Sequence, residues 1–120
     1  MALWHYTCDH GRAGIGDRGY LVPGVMLTDR VANLPCSRYV WLTDLAVPIR
    51  DALGLTGLIV KCDRVAHRYR VWDETTVRRW VDVARDVPRA IRENLESAPG
   101  ARPAHWYVSE EPVPAVYDPR

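Results

Sequence analysis

Short runs of aromatic and β-branched residues bracket one stretch of helical periodicity, and that order limits the fold more than any other feature. The runs at 3–7 (LWHYT), 39–44 (YVWLTD), 57–62 (GLIVKC), 68–72 (RYRVW) and 105–109 (HWYVS) have strand character, and 113–117 adds one more. Between them, Val77, Trp80, Val81, Ala84 and Val87 recur at spacings of three and four, which predicts a helix over 75–86. Asp73 or Thr75 can cap it. Pro88, two residues after Asp86, suits the first turn of a second helix capped by that aspartate, with Ala90, Ile91 and Leu95 on its inner face. A shorter helical piece is expected over 11–18, capped by Asp9 and stopped at Gly19. The stretch 25–36 reads as loop, 48–53 as a short helical turn and 97–103 (SAPGARP) as a linker. Strands come early, helices sit late in the middle and a strand closes the chain. That order predicts an α+β fold, not an alternating βαβ one.

At 120 residues the chain fits one domain, and an apolar content of 48% is enough for a packed core. The net charge of +1 supplies no global field toward nucleic acid or membrane. The basic side is almost all arginine, with Lys61 the single lysine. Cys8, Cys36 and Cys62 are odd in number and unpaired in spacing, so a disulfide framework is not expected and a reducing compartment fits. No apolar run nears the roughly twenty residues of a membrane span, and the N-terminus lacks the pattern of a signal peptide. A cytoplasmic protein without membrane contact is the expectation.

Three motifs invite chemistry and are outweighed. Gly14, Gly16 and Gly19 satisfy G-x-G-x-x-G after a strand, but Pro23 follows closely and no βαβ unit is in sight, so a dinucleotide loop is not expected. His5, Cys8 and His10 have ligand-like spacing, with Cys36 as a fourth zinc donor. Convergence would need a sharp turn directly after a strand, and no metal is expected. Cys8 beside a histidine lacks a group to orient the base. Most of the arginines between 64 and 92 are interleaved with carboxylates and read as a solvated helix surface. Arg68 and Arg70, on one face of a strand, are the better nucleic-acid candidates.

The strand at 3–7 is the strongest candidate for a ligand cleft. Its alternation puts Trp4 and Tyr6 on one face, Leu3, His5 and Thr7 on the other. Trp4 and Tyr6 bring more apolar area, so they are expected to meet the core and leave His5 and Thr7 facing a cleft. A histidine can hold a ribose hydroxyl, and an indole or phenol can stack on a nicotinamide or a base.

At these residues the sequence resembles the ADP-ribosyltransferase fold, most closely the small branch with the DarT-type DNA-modifying toxins and more distantly the RNA 2′-phosphotransferases. That branch opens on "aromatic-His-x-Thr", matched by His5 and Thr7, with a short helix and a Gly-x-Leu exit, here Ile15, Gly19 and Leu21. Its second strand carries an aromatic with Ser or Thr, as Tyr39-Val40-Trp41-Leu42-Thr43 does. Its last element is similar to Ala104-His105-Trp106-Tyr107-Val108 ahead of Val113-Pro114. The resemblance implies a small split antiparallel sheet with two or three helices, NAD as substrate, and nucleic acid as a further partner. It places His5, Thr7 and Thr43 on NAD, with Trp41 or Tyr20 stacked on its base. The family's catalytic glutamate position is held by His105. Glu110 or Glu111 would then polarise the attacking group, with His105 the alternative acid–base residue. The rival readings are a non-catalytic module that binds nucleic acid or protein, and a zinc-stabilised domain.

Overall fold

A computed structural model describes residues 2–23, 39–47, 49, 52–53 and 63–119. The expected loop over 25–36, the expected strand over 57–62, Cys36, Cys62 and most of the expected turn over 48–53 lie outside them. The fold is α+β: a seven-stranded antiparallel sheet with three α-helices among the described residues. The strands are β1 Trp4–Thr7, β2 Arg18–Leu21, β3 Val40–Thr43, β4 His67–Val71, β5 Arg78–Arg79, β6 Trp106–Ser109 and β7 Val113–Tyr117, in the order β2-β7-β4-β1-β3-β6-β5. The helices are α1 Asp9–Ile15, α2 Trp80–Val83 and α3 Arg89–Glu96.

Directly opposed residues of an antiparallel ladder share a face, so the registers sort the side chains into two sets. One face carries Leu3, Leu21, Val40, Leu42, Tyr69, Val71, Tyr107, Val113 and Ala115, all buried in one cluster. The other carries Trp106 and Val108, which pack under Trp80, Val83, Ala84, Val87 and Ile91 of the helical segment. The sheet is therefore a middle layer with apolar material on both sides. This corrects the expected orientation of β1. Leu3, only 1% exposed, belongs to the first cluster, so the His5 face is itself the face of that core. Trp4 and Tyr6 are half-buried on the other face, under the chain at 45–46: Tyr6 donates to the Leu45 carbonyl and Arg68 to that of Ala46. When both faces are covered, the larger aromatic area no longer tells which one is inside.

The helical stretch also differs from its periodicity. Asp73 accepts from the backbone N–H and the hydroxyl of Thr75, a local turn that keeps the chain out of helix. β5 follows, the α-helix starts only at Trp80, and 84–86 tightens to a 3₁₀ turn. Val77 consequently packs on the first cluster while Trp80 joins the second, and Val81, expected on the stripe, is 41% exposed. The last helix begins after Pro88, which takes the N-cap position expected of Asp86.

α1 ends at Gly16, not at Gly19. Gly16 takes φ 77°, a conformation a side chain would oppose, and its N–H bonds the Arg12 carbonyl. Inside α1, Gly11 lies directly on Thr7. A Cβ there would stand 1.9 Å from Thr7 Oγ1, 3.0 Å from its Cβ and 3.2 Å from its Cγ2, so turning the threonine does not relieve the overlap. Gly11→Ala is therefore expected to destabilise, since overpacking costs about 1–3 kcal/mol against a helix-propensity gain of about 0.5–1 kcal/mol. Among the described residues, nothing beyond its chain neighbours and its own helix backbone lies within 4 Å of a Cβ added at Gly14. Gly14→Ala should stabilise by that gain, and urea melts of the pair check both signs.

Candidate functional site

β1 pairs with β4 along its whole length, yet with β3 at Trp4↔Thr43 alone. Beyond that pair, side chains do the joining. His5 Nδ1 lies 2.8 Å from the Trp41 carbonyl oxygen. A carbonyl only accepts, so Nδ1 carries the proton and Nε2 of the neutral ring is left as an acceptor. Burial lowers the His5 pKa below the ordinary histidine value, Arg64 pushes the same way, and the bond to Trp41 pulls partly back. The ring is thus uncharged at neutral pH. Because the folded-state value is the lower one, this site adds stability above the ordinary histidine range and loses it as pH falls through that range toward the depressed value.

Thr7 shares the His5 face, with its side chain beneath Gly11 of α1. The remaining residues expected on NAD are placed elsewhere. Thr43 opposes Trp4 and Trp106, Trp41 opposes Val108, and Tyr20 opposes Pro114, which puts all three on the face opposite His5 and Thr7. Trp41 packs with ring centroids 5.0 Å from Trp80 and 6.0 Å from Trp106, and its buried indole N–H has no hydrogen-bond partner among the described residues. Thr43 is buried, and its hydroxyl accepts the Leu45 N–H. Tyr20 is 62% exposed on β2, near one edge of the sheet.

His105 and the two glutamates flank β6 at opposite ends. His105 closes the 3₁₀ turn before β6, and its Nδ1 is 2.7 Å from Asp44 Oδ1. The Tyr107 hydroxyl reaches the other oxygen of Asp44 at 3.4 Å. Burial raises the Tyr107 pKa, the Asp44 charge and hydrogen bond add to this, and Arg79 opposes it. Glu110 and Glu111 are exposed after β6, where the Ser109 hydroxyl binds the backbone of Glu111. Val40 opposes Ser109, so this is the end of the sheet at which Thr7 stands. His105 therefore does not join them in one group. Cys8 Sγ is 3.9 Å from His10 Nδ1, and among the described residues no three His, Cys, Asp or Glu converge on a metal position.

Arg68 is held at home: it bonds the Asp118 carboxylate at 3.0 Å and the Ala46 carbonyl at 2.8 Å. Arg70 is exposed on the same face. Two residues escaped the reading of the sequence. Asp44 is brought to His105 only by the pairing of β3 with β6. Trp72, 54% exposed, had a legible signal, since Arg18-Gly19-Tyr20 and Arg70-Val71-Trp72 both read arginine, any residue, aromatic. No helix among the described residues is long and apolar enough to cross a membrane. Compared with known protein families, curated proteins and solved structures, the chain matches none.

Proposed function

We propose that this domain binds NAD at the separation between β1 and β3 and acts as an ADP-ribosyltransferase-type enzyme. The observation that carries the reading is the state of His5. Its Nδ1–H is fixed on the Trp41 carbonyl, its ring is kept neutral by burial, and its Nε2 is the acceptor that would meet a ribose hydroxyl. Thr7 stands on the same face, and Glu110 and Glu111 stand at the same end of the sheet. In transfer, the glycosidic bond to nicotinamide breaks, nicotinamide leaves, and the acceptor oxygen or nitrogen bonds the ribose carbon as it gives up its proton. Glu110 or Glu111 would take that proton.

NAD at a hundredfold excess over its Kd is expected to stabilise the fold by about 2.7 kcal/mol, read as a rise in Tm. His5→Asn keeps a donor for the Trp41 carbonyl and removes Nε2. It should leave the ligand-free Tm near that of the parent and weaken NAD binding by up to roughly tenfold. A parent whose Tm ignores NAD overturns the reading.

A second reading is a non-catalytic module on the same fold. It is favoured by His105, which occupies the family's glutamate position and is engaged by Asp44. Binding of NAD with no release of nicotinamide would select it.

A further inference from the structure

We propose that the open face of β2, β7 and β4 is a docking surface for single-stranded nucleic acid, formed by Arg18, Tyr20, Arg70 and Trp72. The registers arrange these residues as a grid. Arg18 opposes Val116, which opposes Arg70 on its other side. One step along, Tyr20 opposes Pro114, and the Trp72 N–H bonds the Pro114 carbonyl at 3.3 Å. A row of two arginines thus lies beside a row of two aromatics, with Val116 and Pro114 as the floor. Neighbouring strands are about 4.8 Å apart, so the members of each row stand roughly 10 Å from one another.

The helices cover the other half of this face, over β3 and β6. On the grid, Tyr20 is 62% and Trp72 54% exposed, and both arginines are exposed. Charge decides the kind of occupant. The bordering carboxylates are already engaged: Asp17 by Arg12, Asp118 by Arg68 and the Trp4 indole, and Asp73 by Thr75. The Arg18 guanidinium carbon instead lies 5.4 Å from the Trp72 ring centroid, and neither Arg18 nor Arg70 enters an ion pair among the described residues. Cations that form no ion pair among the described residues, beside exposed aromatic rings, suit a polyanion with planar bases: the arginines meet phosphates and the rings stack bases of any sequence. A duplex hides its base faces and could use the arginines alone. The grid is on the face opposite His5, so this proposal does not depend on NAD binding.

The test is fluorescence anisotropy with a dye-labelled oligothymidylate, an oligouridylate and a duplex, each about a dozen nucleotides long. Both single strands are expected to bind more tightly than the duplex, with log K falling against log salt at a slope of about −1.4 for two phosphates. Trp72→Ala and Tyr20→Ala should each weaken binding by roughly tenfold or more with no loss of Tm, and Trp72→Phe should restore most of it. Arg18→Gln and Arg70→Gln should each flatten the slope by about 0.7. Arg85→Gln and Arg89→Gln, in the helical segment, should change nothing. The proposal is overturned if no strand binds at low salt, if duplex binds as well as single strand and ignores Trp72→Ala, or if the helical arginines matter equally. It is also overturned if Trp72→Ala abolishes self-association in sedimentation while no strand binds, which would make the grid a protein interface. The NAD-induced rise in Tm should be the same in Trp72→Ala as in the parent, so the two proposals fail separately.

Discussion

Trp80→Ala is expected to lower the unfolding free energy by about 3–5 kcal/mol, a large share of the stability of a domain this size. The ring is wholly buried, with centroids 5.0 Å from Trp41, 6.3 Å from Trp106 and 6.4 Å from Tyr39. It is the piece of the helical segment that touches sheet aromatics on β3 and β6 together. A buried tryptophan removes about 150–250 Å² from water, worth roughly 4–6 kcal/mol at 25 cal/mol per Å², so the mutational range agrees with the area. The indole N–H also donates to Glu96 Oε1 at 3.0 Å, which ties the start of α2 to the end of α3. Trp80→Phe retains a ring and drops that bond, and it should cost a fraction of the alanine change. Urea unfolding followed by near-ultraviolet circular dichroism measures both. A loss well under 1 kcal/mol for alanine would mean that α2 and α3 are not docked through this residue.

Tyr69→Ala is expected to lose a comparable amount, about 3–5 kcal/mol, by the same cavity argument on the other side of the sheet. Tyr69 has no exposed surface, and its ring lies 5.5 Å from that of Tyr117. Its hydroxyl donates to the Gly16 carbonyl and receives Arg12 Nη1 at 3.4 Å. One side chain therefore fills the centre of the first core and fastens both ends of the turn that closes α1. The Arg12 guanidinium lies over the Tyr117 ring at 3.4 Å and pairs with Asp17, which completes the clasp. Tyr69→Phe separates the two contributions. Gly16 is exposed, so water can replace the lost donor, and phenylalanine should cost only about 0.5–1.5 kcal/mol. If phenylalanine costs as much as alanine, the hydroxyl network and not the ring is what holds α1.

The two clusters give the domain a layout that bears on function. The sheet is buttressed by α2 and α3 on one face at its β3-β6 side, and by α1 on the other face at its β4-β7 side. Each set of contacts leaves a different part of the sheet uncovered or loosely joined: the β1–β3 separation on the first face, and the arginine–aromatic grid on the second. Most residues of both proposed sites lie on strands, where backbone pairing fixes the side chains more firmly than a loop would.

The sequence by itself determined the class of the fold and most of its strands. Runs such as YVWLTD and RYRVW alternate too regularly to be anything else, and each falls within a residue or two of an observed strand. It also marked Trp80 as a core residue, because one large aromatic on a three-and-four spacing is legible without a partner. Tertiary structure decided everything that depends on which strand lies beside which. Period-two alternation says that His5 and Trp4 face opposite ways, but not which way is inward. In a sheet buried on both sides, that question has no local answer. The helix is shorter than its periodicity predicts for a related reason. Val77 and Trp80 are spaced as helix neighbours, yet a turn at Asp73 and a strand at Arg78–Arg79 send them to different faces. The dispersal of His5, Tyr20, Trp41 and Thr43 over two faces, the meeting of Asp44 with His105, and the assembly of Arg18, Tyr20, Arg70 and Trp72 into one grid are all products of strand order. Pairings between segments tens of residues apart are set by the free energy of the whole core, and no window of sequence contains that sum.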